Sequence, residues 1–286
     1  MSDGSYTNDI ETLRTWIGRS ETRTEPVSVE RCNELHQTLD RPGVLAAGDV
    51  LPPLWHFISH HPTAMLSELD RDGHPKRGGF LPPVLLPRRM WAGGRITFHD
   101  NVHLGEPLTR HSTIENIEQK DGRSGLLVFV TVRHDLLVDG ELRITESQDL
   151  VYRDDPAPDA PRPQPKPAPD DADFARTITP SAPLLFRYSA LTFNSHRIHY
   201  DREYARSVEG YPNLVVHGPL TATLLAGLAE AESGRRLTDF SFRGLAPLFD
   251  DAPFTISGRV DEDQIELWAA TPDGGHAMQA SATLTA

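Results

Sequence analysis

Between residues 154 and 173 the chain places seven of its 24 prolines, at 156, 158, 161, 163, 165, 167 and 169. No helix or sheet interior tolerates that density, because each proline removes a backbone donor and fixes φ near the polyproline value. The segment therefore reads as an extended surface linker that spans about 50 Å at roughly 3 Å per residue. Any packed core must form on either side of it, as residues 1–153 and 174–286. A chain of 286 residues is long enough for that division or for one large domain.

The two flanks share one order of elements. In the first, the amphipathic pattern from Leu54 to Leu69 predicts a helix, followed by a Pro/Gly-rich stretch. Strands are then predicted over 95–99, 108–119, 125–137 and 141–152, with turn signals at Lys120-Asp-Gly-Arg and Val138-Asp-Gly-Glu. In the second flank a helix over 220–231 opens at His217-Gly218-Pro219 and stops near Gly234. Strands follow over 238–245, 253–260, 264–270 and 276–284. Residues from Leu220 to Ala229 are small or apolar on almost every side, which predicts a helix buried all round. A helix followed by an antiparallel meander, met twice, predicts an α+β fold of two related units, each a sheet wrapped round a helix.

Composition narrows the function classes. Hydrophobic residues at 38% exclude wholesale disorder, and no apolar run is long enough for a membrane span. A net charge of −13, without any basic block, argues against nucleic acid, whose phosphates need a basic face. The 28 bases comprise only three lysines (Lys76, Lys120, Lys166) and otherwise arginine, a bias that reads first as genomic composition and second as fitness for bidentate anion binding. One cysteine, Cys32, precludes an intrachain disulfide, and the polar start Met1-Ser-Asp-Gly lacks a secretory pattern, so a cytoplasmic protein is expected. Cys32 sits in a window of helical apolar spacing and reads as a buried thiol.

Functional side chains concentrate in residues 186–202, Phe-Arg-Tyr-Ser-Ala-Leu-Thr-Phe-Asn-Ser-His-Arg-Ile-His-Tyr-Asp-Arg. Asn194 lies five residues before His199, a spacing that suits a turn aiming an amide and an imidazole at one water. His196 and Arg197 stand between them. Just downstream, Gly218 and Pro219 begin the buried helix, whose first N–H groups are free and whose dipole is positive at that end. A carbonyl oxygen gaining negative charge would be stabilised there.

Other chemistries find less support. The chain has no His-Glu-x-x-His, paired Cys-x-x-Cys or P-loop motif, and the His196/His199 pair shows no third metal ligand, so no metal is expected. Arg123-Ser124-Gly125 reads as a hairpin turn rather than a nucleophile elbow. His60-His61 is expected on a polar helix face or at an interface.

These motifs carry a resemblance. Residues 188–201 and the stretch Gly210-Tyr-Pro-Asn-Leu-Val-Val-His-Gly-Pro-Leu look like the MaoC-like hotdog hydratases, in the branch of mesaconyl-C(4)-CoA hydratases and type 2 hydroxyacyl-thioester dehydratases. Residues 86–95 and 122–133 of the first half resemble the same branch, so the likeness covers nearly the whole chain. It implies a double hotdog in which only the second half keeps the catalytic motif. The wider family's Asp-x-Asn-Pro-x-His falls here on Asn194, His196 and His199. The ionisable Asp is thus replaced by an amide, which leaves His199 as the strong base and Asn194 to orient water.

The resemblance implies reversible hydration of an α,β-unsaturated acyl-CoA, with Gly218 at the thioester oxygen and without a cofactor beyond the substrate's own coenzyme A. Tyr188, His196 and His217 would contact substrate, and Arg187, Arg197 or Arg243 would hold a phosphate or a distal carboxylate. Fatty-acid 3-hydroxyacyl-thioester dehydratase, hotdog thioesterase and non-catalytic acyl-thioester binding protein are the alternatives. Thioesterases of this fold usually place a carboxylate by the buried helix, whereas Glu230 and Glu232 come only at its far end. A homodimer formed by sheet pairing is compatible with such a chain.

Overall fold

The structure, a computed structural model, describes residues 6–122, 125–155 and 164–286. In chain order the first half comprises α1 (Ile10–Arg14), β1 (Ser20–Pro26), α2 (Val29–Thr38), β2 (Arg88–Phe98), β3 (Pro107–Gly122), β4 (Gly125–Val138) and β5 (Glu141–Arg153). The second comprises β6 (Phe174–Ile178), α3 (Ala182–Leu191), α4 (Arg202–Ser207), α5 (Gly218–Ser233), β7 (Leu237–Gly244), β8 (Phe254–Asp261), β9 (Gln264–Ala270) and β10 (His276–Leu284). All ten strands form one antiparallel sheet in the order β1-β3-β4-β5-β2-β7-β10-β9-β8-β6. That order is a palindrome, since each half lays down one strand, then helix, then four strands, and the halves meet where β2 pairs with β7.

Local chemistry explains these elements. Along β4 burial alternates residue by residue, as expected where one face packs inward. Its hairpin to β5 turns on Asp139 and Gly140, both at positive φ (51° and 84°), the conformation a two-residue type I′ turn demands. Pro near the start of α5 costs no hydrogen bond, and Gly234 ends the helix in the left-handed conformation at φ 66°. Leu220, Ala222, Leu225, Ala226, Leu228 and Ala229 of α5 are each at most 1% exposed, and the helix lies against β7 through β10. At the seam, Gly93 lets β2 approach β7, because a Cβ there would overlap the Phe242 carbonyl oxygen.

Several expectations need correction. The helix expected over 54–69 is two 3-10 turns, Trp55–Ile58 and Leu66–Glu68. Leu54 and His60 sit at positive φ and Pro62 interrupts the run, so no continuous helix can form. The helix that buries its face in the first half is α2, which carries Cys32 inward as expected. Burial pushes the Cys32 thiol up to about 12, leaving it inert at neutral pH. His60 is not on a polar helix face: it is 2% exposed and its Nε2 lies 2.9 Å from the Leu108 carbonyl oxygen. Strand β2 begins seven residues before the expected Arg95.

Prolines 156, 158, 161 and 163, and the turn residues Arg123 and Ser124, lie outside the described residues. The rest of the proline segment is anchored at both ends. Asp155 pairs with Arg71 and Arg88, while Lys166 and Ala168 hydrogen-bond to the backbone of residues 274–276 between β9 and β10. Among the described residues no helix is long and apolar enough to cross a membrane.

Candidate active site

His199 ends a short 3-10 turn, Arg197–His199, and is 7% exposed. Its Nδ1 lies 2.7 Å from the carbonyl oxygen of Val215. A carbonyl only accepts, so Nδ1 carries the proton and Nε2 presents its lone pair. Burial pushes the His199 pKa down to about 4, so the ring is neutral and basic at Nε2 at physiological pH. The ring stacks on that of His217, with centroids 3.6 Å apart and planes 18° from parallel. His217 is also buried, shares a 2.8 Å hydrogen bond through Nε2 with the Ser189 hydroxyl, and is the N-cap of α5. Tyr188 packs edge-on against His217 at 4.9 Å. The imidazole is thereby fixed against the side chain of the residue that caps α5.

Asn194 follows α3. Its Oδ1 accepts a hydrogen bond from the His196 N–H at 3.0 Å, an Asx-type turn that shapes the loop. Among the described residues nothing accepts from the amide's NH2, which leaves it as a donor for a ligand or water. Gly218, at the first turn of α5, keeps an N–H without intrahelical acceptor. A Cβ added at Gly218 would meet only the Met278 methyl at 3.9 Å, so the surrounding protein does not demand glycine there. Asn194, His196, His199, His217, Gly218 and Tyr188 line one extended cavity.

The arginines divide differently from expectation. Arg243 is exposed at the cavity wall and forms no ion pair among the described residues. Arg197 does not line the cavity. Its guanidinium bonds Asp201 at 2.7 Å and the Arg71 carbonyl at 3.2 Å, and lies 4.1 Å above the Tyr204 ring. Arg187 is exposed on α3, also away from the lining. Glu230 is occupied at the far end of α5 by Arg236 and the Leu237 N–H.

The first half contributes residues the sequence reading missed. Its loop 70–77 clamps the 194–201 turn: the Arg197 N–H donates to the Asp72 carbonyl at 2.8 Å, and the Ser195 hydroxyl donates to the Gly73 carbonyl. Gly73 stands at φ 92°, and a Cβ there would overlap the Ser195 carbonyl oxygen. This clamp brings the His74 ring to 4.2 Å from His196, with His74 Nδ1 2.8 Å from Asp72 Oδ2. Asp72, His74 and His196 thus offer three ligand atoms within 4.8 Å of one another, where the sequence suggested no third partner for His196. Only the Pro/Gly richness of 72–87 hinted at a special loop; its placement depends on contacts more than 120 residues apart.

A chain folded as two units of sheet and helix, with a buried imidazole beside the open end of the helix in the second, defines a double hotdog. The fold is shared with a MaoC-like dehydratase (TM-score 0.70, 17% identity, 95% of this chain and 99% of that one). It is likewise shared with a Mycobacterium tuberculosis protein described as a double hotdog (TM-score 0.57, 12% identity, 94% and 96%). Residues 54–250 match the family Hydroxyacyl-thioester dehydratase type 2, and the chain belongs to that family. It is 50% identical over 271 residues to the mesaconyl-C(4)-CoA hydratase of Chloroflexus aurantiacus, covering 94% of this chain and 96% of the relative.

Proposed function

We propose that the protein is a hydro-lyase that reversibly adds water across the double bond of an α,β-unsaturated acyl-CoA, with mesaconyl-C(4)-CoA as its substrate. The observation that carries the reading is the free Nε2 of His199, set by the Nδ1 bond to Val215 beside the opening of α5.

In the hydration direction, a water accepts a hydrogen bond from the Asn194 NH2 and donates one to His199 Nε2. His199 takes that proton as the water oxygen bonds to Cβ, and the π electrons move to the thioester oxygen. Gly218 N–H and the α5 dipole hold the resulting enolate oxygen. The His199 imidazolium then returns its proton to Cα, restoring the carbonyl and the neutral ring. Dehydration runs through the same steps in reverse. His217 packs against His199 and is itself held by Tyr188, and Arg243 would meet a coenzyme A phosphate. No cofactor is required by this chemistry, and a cytoplasmic homodimer accords with it.

The test is loss of conjugated-thioester absorbance on adding enzyme to mesaconyl-C(4)-CoA. His199→Ala is expected to lose about 100-fold or more in kcat, and retention of the wild-type rate would remove His199 from the base role. Release of free thiol instead of loss of the double bond would make the protein a thioesterase.

A further inference from the structure

One wall of the cavity beside His199 carries a cluster that the hydration steps leave unused. His196 stands between His199 and His74, with ring centroids 5.5 Å and 4.2 Å away respectively. Arg89 lines the same cavity from β2, opposite Tyr152 across the ladder to β5, and its charge acts on Asp72, His74 and His196. Neighbouring arginines are committed: Arg88 to Asp155 and Glu209, Arg77 to Asp70, Arg197 to Asp201. Arg89 forms no ion pair among the described residues, and the nearby carboxylate of Asp72 is engaged by His74. A part-buried guanidinium with no ion pair within 4 Å among the described residues, whose charge reaches the His74 and His196 rings as well as the Asp72 carboxylate, keeps its N–H donors for an added anion. The same charge opposes a metal ion on Asp72, His74 and His196, where His74 Nδ1 and Asp72 Oδ2 are already bonded to each other.

The carbon attacked by the His199-bound water is Cβ. A substituent on Cβ therefore lies beside that water and within reach of the His196–His74 wall. We infer that Arg89, with His74 and His196, binds a carboxylate carried on Cβ, so that the site selects dicarboxylic half-thioesters over simple enoyl-CoA esters. The inference rests on the hydratase reading for the position of Cβ, and it moves the carboxylate contact from Arg187, Arg197 or Arg243 to Arg89.

Its test separates binding from turnover. Succinyl-CoA and butyryl-CoA have acyl chains of equal length and differ only in carrying carboxylate or methyl on Cβ, and neither can be hydrated. Calorimetry on the full-length protein is expected to show succinyl-CoA binding about tenfold to a hundredfold more tightly, the worth of a charge-assisted pair. Arg89→Gln should abolish that preference and Arg89→Lys should retain part of it, with unchanged melting curves reporting an intact fold. In turnover, the kcat/KM ratio of mesaconyl-C(4)-CoA to crotonyl-CoA should fall by a similar factor in Arg89→Gln. Equal affinity of the wild type for the two saturated thioesters overturns the inference, whatever the hydration assay gives. So does an equal loss for both in Arg89→Gln. A preference that persists in a protein without hydration activity supports the carboxylate subsite and overturns the hydratase reading instead.

Discussion

His199 is held ready to accept a proton by two separable features: burial, which keeps the ring neutral, and the Val215 carbonyl, which fixes the tautomer. The sign of the pH effect follows. A base must be unprotonated, and this one is protonated only as pH falls towards about 4. The acid limb of kcat/KM is therefore expected near pH 4 instead of at the ordinary histidine value, as a pH–rate profile of the free enzyme will show. At Gly218 the expectation is a kinetic effect without a structural one. Its backbone is not in the left-handed region and a Cβ would touch only Met278, so Gly218→Ala should leave the melting temperature nearly unchanged. It should lower kcat by about tenfold or more if the thioester oxygen rests against that amide. That Asn194, His199 and Gly218 share one cavity could be anticipated because they lie within 25 positions of one another. The same could not be anticipated of His74 and Arg89, because no local pattern links residue 74 to residue 196.

Among the elements, α5 and its strands were the most legible. Strands over 264–270 and 276–284 have the expected limits, and α5 extends the expected helix by two residues at each end. Their signals are local: uninterrupted apolar runs bounded by Asp, Gly and Pro. The edge strands β1 and β6 were missed, since neither has a buried residue, β1 is written in charged and polar side chains, and β6 is only five residues long. The false helix over 54–69 had the right spacing but backbone angles that tertiary packing imposes. Burial at α5 makes its packing costly to disturb. Leu225→Ala is expected to destabilise the fold by about 2–5 kcal/mol in denaturant titration, the usual range for a fully buried leucine. Gly73→Ala should act on activity as well as stability. The methyl overlaps the Ser195 carbonyl and φ is unfavourable, so the clamp on the 194–201 turn must open, and kcat should fall together with the melting temperature.

Across the whole molecule, histidines are the main pH-sensitive load. His60, His61, His74, His134, His196, His199 and His217 all have pKa values lowered first by burial. The unfolded chain takes up these protons near pH 6.5 while the folded one resists, for His199 until about 4. Stability is thus fully present above about pH 6.5 and lost as pH falls through that window. A melting temperature that held constant from pH 7 to pH 4.5 would contradict this account. The two-unit plan was legible in the repeated order of elements, whereas the continuous sheet across β2 and β7 was not, because pairing between distant strands leaves no trace in either one. The palindromic strand order has a further consequence. Two identical subunits meeting at such a seam would carry every substitution twice, once in each mouth. In a single chain each residue is written once, so His74 and Arg89 are free to serve one mouth without a mirrored copy burdening the other.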